Sequence, residues 1–228
     1  MFPLRDTQKA KIIPLITYVI IIINVVVFFL EITSVKPDAF IESYALIPAK
    51  INFSNYLTLI PFITSQFLHG GFLHIISNMW FLKIFGDNVE ERFGHIQYLF
   101  IYLLTGTVGI FIQYLFAVDS TIPMLGASAA VAGVLGAYLV FFPHHRIETL
   151  VPLGFFITTV NIPASIMLLY WFITQLFSGV GSIAIAQTGG VAFWAHVGGF
   201  ASGWIIAKLY RGLGNSEIEE GQIIEEDF

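Results

Sequence analysis

Four side chains in this sequence have types and spacings suited to acyl-transfer chemistry. His74 and Asn78 stand four residues apart, Ser128 lies inside Gly126-Ala127-Ser128-Ala129, and His196 follows Ala195. A serine hydroxyl becomes a nucleophile when a base lies within hydrogen-bond reach, and a neutral imidazole can play that part near neutrality. Ser128 and His196 suit that pair. His74 and Asn78 share one face of a helix, so their donors can meet at a carbonyl oxygen that gains negative charge during attack. The Ser128 backbone N–H adds another donor.

Each residue also has a plainer reading. A serine in a membrane helix often bonds its own backbone, Asn78 can bond a neighbouring helix, and Gly126 can simply mark a turn. Position argues for the set. The chain has 228 residues, 57% hydrophobic and 11% charged, with mean hydropathy +0.82. That composition belongs to a polytopic membrane protein. Apolar segments near 11–31, 72–88, 96–117, 124–142, 162–179 and 190–210 are each long enough to cross a bilayer as a helix. His74, Ser128 and His196 fall near the starts of the second, fourth and sixth, within roughly 3 to 9 Å of depth at about 1.5 Å per residue. Those three spans run the same way, so the groups share one layer, where ionisable residues are rare unless they work.

The expected fold is therefore all-α, an integral six-helix bundle over residues 11–211. Residues 1–10 form a cytoplasmic N-terminal segment, and residues 212–228 an acidic, disordered cytoplasmic tail. The first apolar run reads as a retained anchor, since it lacks a small-residue cleavage pattern. Lys and Arg set the orientation. With both termini inside, Arg5, Lys9, Lys11, Lys83, Arg92, Arg146, Lys208 and Arg211 are cytoplasmic, and only Lys36 and Lys50 lie outside. Residues 32–71 form a long external connection with short interfacial helices. Residues 143–161 form an internal connection resting on the cytoplasmic leaflet, in which His144 and His145 read as loop residues.

Small residues recur every fourth position in two spans: Ser128, Ala132 and Gly136, then Ala195, Gly199 and Gly203. Such stripes let helix backbones approach closely, as a short Ser128 to His196 distance requires. Other chemistries lack their traces. His69 and His74 are five apart with no carboxylate between them, which does not fit a zinc protease. Asp87, Glu90 and Glu91 read as solvated charge at a helix end rather than an aspartyl pair. The tail carries acid without Lys or Arg, which argues against nucleic acid, and the absence of cysteine excludes thiolate catalysis. No internal repeat supports a transporter of two similar halves.

His74 through Asn78, Gly126-Ala127-Ser128, Ala195-His196 followed by Gly199 and Gly203, and Gly86-Asp87-Asn88-Val89-Glu90-Glu91-Arg92-Phe93-Gly94 together resemble the rhomboid intramembrane serine proteases. The resemblance runs from about Leu46 to Arg211. It implies that Ser128 is the nucleophile and His196 the general base of a dyad without a third acid. It implies an oxyanion hole made by His74, Asn78 and the Gly126 turn, with Gly199 and Gly203 packing near the site. Substrates would be membrane-spanning segments of other proteins, in contact with lipid, and no cofactor or metal is needed. Two positions depart from the family pattern: Ala129 replaces a glycine after the serine, and Ala132 stands where some members carry an aromatic residue that packs on the histidine. Those departures motivate a second reading, a silent relative that binds membrane helices without cutting them. The compact plan points to a prokaryotic cell (inner) membrane.

Overall fold

A computed structural model describes the backbone of residues 2–153, 156–182 and 191–226, and side chains outside 152–157, 182 and 214–226. Strand β1 (Phe2–Asp6) precedes the apolar helix α1 (Leu15–Thr33), and the connection that follows holds α2 (Pro37–Tyr44) and the single turn α3 (Pro61–Thr64). Helices α4 (Phe72–Phe93), α5 (His95–Leu115) and α6 (Ser128–Phe141) come next, then strands β2 (Arg146–Leu153) and β3 (Phe156–Pro163), α7 (Ala164–Ser182) and α8 (Phe193–Glu226). Helices α1 and α4 to α7 overlap the first five expected apolar segments, with ends that differ by up to about five residues, while α8 begins near the sixth and continues well past residue 210 to Glu226. The anticipated disorder of the acidic tail falls on side chains outside the described residues.

Among the described residues, Leu15–Thr33, His95–Leu115 and Ala164–Gly181 are long and apolar enough to cross a membrane. Phe72–Phe93 joins them only when counted with Tyr56–Phe67, from which it bends by 80°. The protein is thus a multi-pass membrane protein with at least three such helices. The bundle core lies between α4, α5 and α6, where Leu82, Phe85, Tyr98, Tyr102, Leu135 and Tyr138 are buried. A smaller cluster of Leu46, Phe62, Ile110, Ala129 and Ala195 sits under the α1–α4 connection.

The all-α expectation needs correcting. β1, β2 and β3 form an antiparallel sheet in that order, at the end of the bundle where α6 finishes. The internal apolar run is a hairpin, because its β-branched residues alternate: Ile147 and Thr149 are fully buried while Glu148 between them is not. β1 is pinned by Trp80 Nε1 donating to the Pro3 carbonyl (2.7 Å) and by an Arg5–Glu148 ion pair.

Glu90 also differs from its expected role as solvated charge, since α4 continues past it to Phe93 and buries it completely. Its carboxylate accepts the Ile16 N–H (2.8 Å), the Thr17 N–H (2.8 Å) and the Thr17 hydroxyl (2.7 Å). These are first-turn donors of α1, whose own Pro14 cap has no side-chain bond. A carboxylate there satisfies orphan N–H groups and complements the positive end of the helix dipole. Gly94, at φ +80°, then lets α5 begin at once.

Candidate active site

α6 and α8 bring the serine and the histidine together. Gly199 and Gly203 of α8 face the carbonyls of Ala129 and Gly133 of α6, and Gly136 faces the carbonyl of Phe200, so a Cβ at any of these glycines would collide with backbone. Of the expected stripe Ser128, Ala132 and Gly136, Gly136 meets the α8 backbone, while the two other closest approaches are made at Ala129 and Gly133, one residue on from Ser128 and Ala132. Gln113 of α5 fixes where α8 begins, its Oε1 accepting the Trp194 (3.0 Å) and Ala195 (3.3 Å) N–H groups. Ser128 opens α6 after Ala127, and the first N–H groups of a helix lack intrahelical partners.

With the backbones held this close, Ser128 Oγ lies 2.8 Å from His196 Nε2. The other ring nitrogen, Nδ1, lies 2.8 Å from Oε1 of Gln175 on α7. Trp171, one turn earlier on α7, covers the imidazole with ring centroids 5.8 Å apart and planes 32° apart, and Phe193 meets it edge-on at 6.5 Å. His196 is 9% exposed and Ser128 half-buried, so the serine is the more open end of the pair.

His74 reaches the same place. Gly126 stands at φ +123°, and a Cβ there would sit 2.7 Å from His74 Cε1 and Nε2 and 3.8 Å from Ser128 Oγ. Only glycine fits that turn, on both conformational and steric grounds. The Gly126 N–H is engaged by the Ser65 carbonyl (2.9 Å), so Gly126 shapes the site and its own donor is occupied. Asn78, on the His74 face of α4, is buried, and its Nδ2 has no hydrogen-bond partner among the described residues.

Beside them, His69 in the connection before α4 meets the His74 ring at 5.1 Å, and its own N–H donates to Glu31 (3.1 Å). Burial, with His74 as a lesser cause, pushes the His69 imidazole down to about 3, which leaves it neutral. Among the described residues neither of its ring nitrogens makes a hydrogen bond of normal geometry, the Phe67 backbone being a weak neighbour.

A model of the rhomboid domain matches residues 57–212. The chain belongs to the rhomboid family. RHOMBOID-like protein 7 of Arabidopsis thaliana is 29% identical over 161 residues, which are 71% of this chain and 46% of that protein. Presenilin-associated rhomboid-like protein A, mitochondrial, of Danio rerio is 31% identical over 90 residues, 39% of this chain and 24% of that protein. Inactive RHOMBOID-like protein 8 of Arabidopsis thaliana is 35% identical over 77 residues, 34% of this chain and 21% of that protein. The chain therefore spans less than half the length of these relatives. They are eukaryotic, and one is named mitochondrial, so they lend no support to a prokaryotic membrane.

Both departures from the rhomboid pattern have a structural account. The Ala129 methyl points at α5, where Gly109 leaves room for it: a Cβ on Gly109 would come within 3.0 Å. Ala132 is fully buried, and the ring contact it cannot make comes from Trp171 instead. The sequence reading missed Trp171 and Gln175. The available signal was a polar amide inside an apolar span, four residues after an aromatic.

Proposed function

We propose that this rhomboid is an intramembrane serine endopeptidase that hydrolyses peptide bonds in or next to membrane-spanning segments of other proteins. The observation carrying this reading is the 2.8 Å Ser128 Oγ to His196 Nε2 contact, made between two helices of a membrane bundle. Ser128 Oγ attacks the scissile carbonyl carbon while His196 Nε2 takes its proton, giving a tetrahedral oxyanion beside an imidazolium. The imidazolium then protonates the leaving amine as the C–N bond breaks, and an acyl-serine remains. Water, losing its proton to His196, attacks that ester and releases the carboxylic product and free Ser128. The oxyanion is received by the Ser128 N–H, by His74 and by the unpartnered Asn78 Nδ2, with Gly126 leaving the space.

The same reading assigns six crossings to α1 and α4 to α8, with both termini cytoplasmic. Helix α6 has 14 residues and spans only about 21 Å of a roughly 30 Å hydrocarbon core. Its N-terminus, and Ser128 with it, then lies below the outer membrane surface. Water reaches the dyad from that face, and the substrate approaches from lipid.

Labelling in liposomes with a fluorophosphonate serine probe tests this. Wild-type protein reacts, while Ser128→Ala and His196→Ala do not. The second reading, a silent helix-binding rhomboid, is favoured by the likeness to the relative named inactive. It predicts an unlabelled wild type that still co-purifies with membrane helices.

A further inference from the structure

We propose that Gln175 is the positioning residue of this site, holding His196 in the one tautomer that can act as a base. The inference rests on the Ser128–His196 reading above. An imidazole accepts a proton from Ser128 only if Nε2 carries its lone pair, which requires the ring proton on Nδ1. Nδ1 lies 2.8 Å from Gln175 Oε1, a carbonyl oxygen that can only accept. The line Ser128–His196–Gln175 therefore has one self-consistent pattern of donors: Ser128 O–H to Nε2, and Nδ1–H to Oε1.

Position and chemistry agree on α7. Trp171 and Gln175 are one turn apart and so share a face. The indole fixes the tilt of the ring and the amide fixes its rotation. In a serine triad the orienting group is a carboxylate, which also stabilises the imidazolium. An amide orients without charge, which suits a site buried in an apolar bundle, where an ionised acid is costly to hold. The proton taken from Ser128 stays on His196 until it passes to the leaving amine, because the Gln175 amide is too weak a base to receive it. His74, on α4, is the titratable group beside His196.

The test compares wild type with Gln175→Leu, Gln175→Glu, Trp171→Phe and Trp171→Ala in liposomes. Its readouts are kcat, KM and thermal midpoint with a fluorogenic membrane peptide. Gln175→Leu lowers kcat by about tenfold, well short of the ~10⁴ lost when a triad acid is replaced, with KM and thermal midpoint near wild type. Gln175→Glu restores the bond, and its carboxylate favours the protonated ring, so the ascending limb of the pH–rate profile moves to higher pH. Trp171→Phe retains activity that Trp171→Ala loses.

A Gln175→Leu variant with wild-type kcat overturns the inference while leaving the dyad intact. So does one whose loss tracks its thermal midpoint and is not restored by Gln175→Glu. The reading of the dyad fails separately, if wild type takes up no fluorophosphonate. A second readout holds even then. In ¹⁵N NMR of histidine-labelled protein, with His196 assigned by its loss in His196→Phe, a bonded Nδ1–H in wild type that changes in Gln175→Leu supports the inference. An unchanged signal overturns it.

Discussion

At the sheet end of the bundle, Glu90 accepts four hydrogen bonds, and Asp6 bonds the Tyr138 hydroxyl and the Asn88 amide (2.9 Å) with His145 at 3.3 Å. At the Ser128 end, Asn78 Nδ2, Ser65 Oγ, Gln66 Oε1 and both ring nitrogens of His69 are buried without a hydrogen-bond partner among the described residues. Both ends bury polar groups, which is costly in an apolar interior unless they are bonded. Where every atom is satisfied, the cluster clamps elements together. Where groups are left open, the structure keeps a cost that a folded scaffold alone does not require; a substrate oxyanion would fit an open donor such as Asn78 Nδ2, and water an open acceptor such as Gln66 Oε1. The contrast separates a structural polar cluster from a chemical one without reference to charge.

Substitutions at the two ends should therefore move different quantities. The largest effect is expected at the open end. His74→Ala and Asn78→Ala each lower kcat/KM by about 10²- to 10³-fold, while thermal midpoints stay near wild type, because Asn78 Nδ2 has no protein bond to lose. A parallel fall in stability and activity would erase the contrast. Next comes the satisfied end, where Glu90→Ala strands the Ile16 and Thr17 donors at the start of α1 and should destabilise by about 2–4 kcal/mol. Denaturation in mild detergent reads this loss, and cleavage well below the melting point stays within a fewfold of wild type.

Asp6→Ala should cost less, about 1–2 kcal/mol, because the Trp80–Pro3 bond and the sheet ladder still hold β1. Limited proteolysis near residue 7 would show the loosened strand first. His145 belongs to this cluster, edge-on to the Tyr138 ring at 5.9 Å, and is not the free loop residue its sequence context suggests.

How much of this was legible in the sequence differs between the two ends in the same way. Ser128, His196, His74 and Asn78 stood out because polar groups in apolar segments are rare, although α4, α6 and α8, which carry them, are not among the described helices long and apolar enough by themselves to cross a membrane. Glu90 was misread for the opposite reason: it lies in a charged stretch, Asp87 to Arg92, where charge density suggests solvent, and only the docking of α1 shows what it binds. The sheet was misread because 150–157, viewed as an apolar run, hides the two-residue alternation that begins at Ile147. Gln175 was visible as a polar residue in a span, but its target depends on how α7 meets α8, which no local pattern encodes.

The smallest effect tests the boundary between the two kinds of position. Ala129 adjoins Ser128, the proposed nucleophile, in sequence, yet its methyl packs toward Gly109 in the seam with α5. Ala129→Gly should therefore behave as a packing change: turnover within about twofold of wild type, and stability lower by roughly 1 kcal/mol for a glycine in a helix interior. Thermal unfolding beside peptide cleavage at equal folded fraction separates the two terms. A tenfold gain in turnover would instead mean that the methyl obstructs the nucleophile, and Ala129 would then belong with the open, chemical end of the molecule.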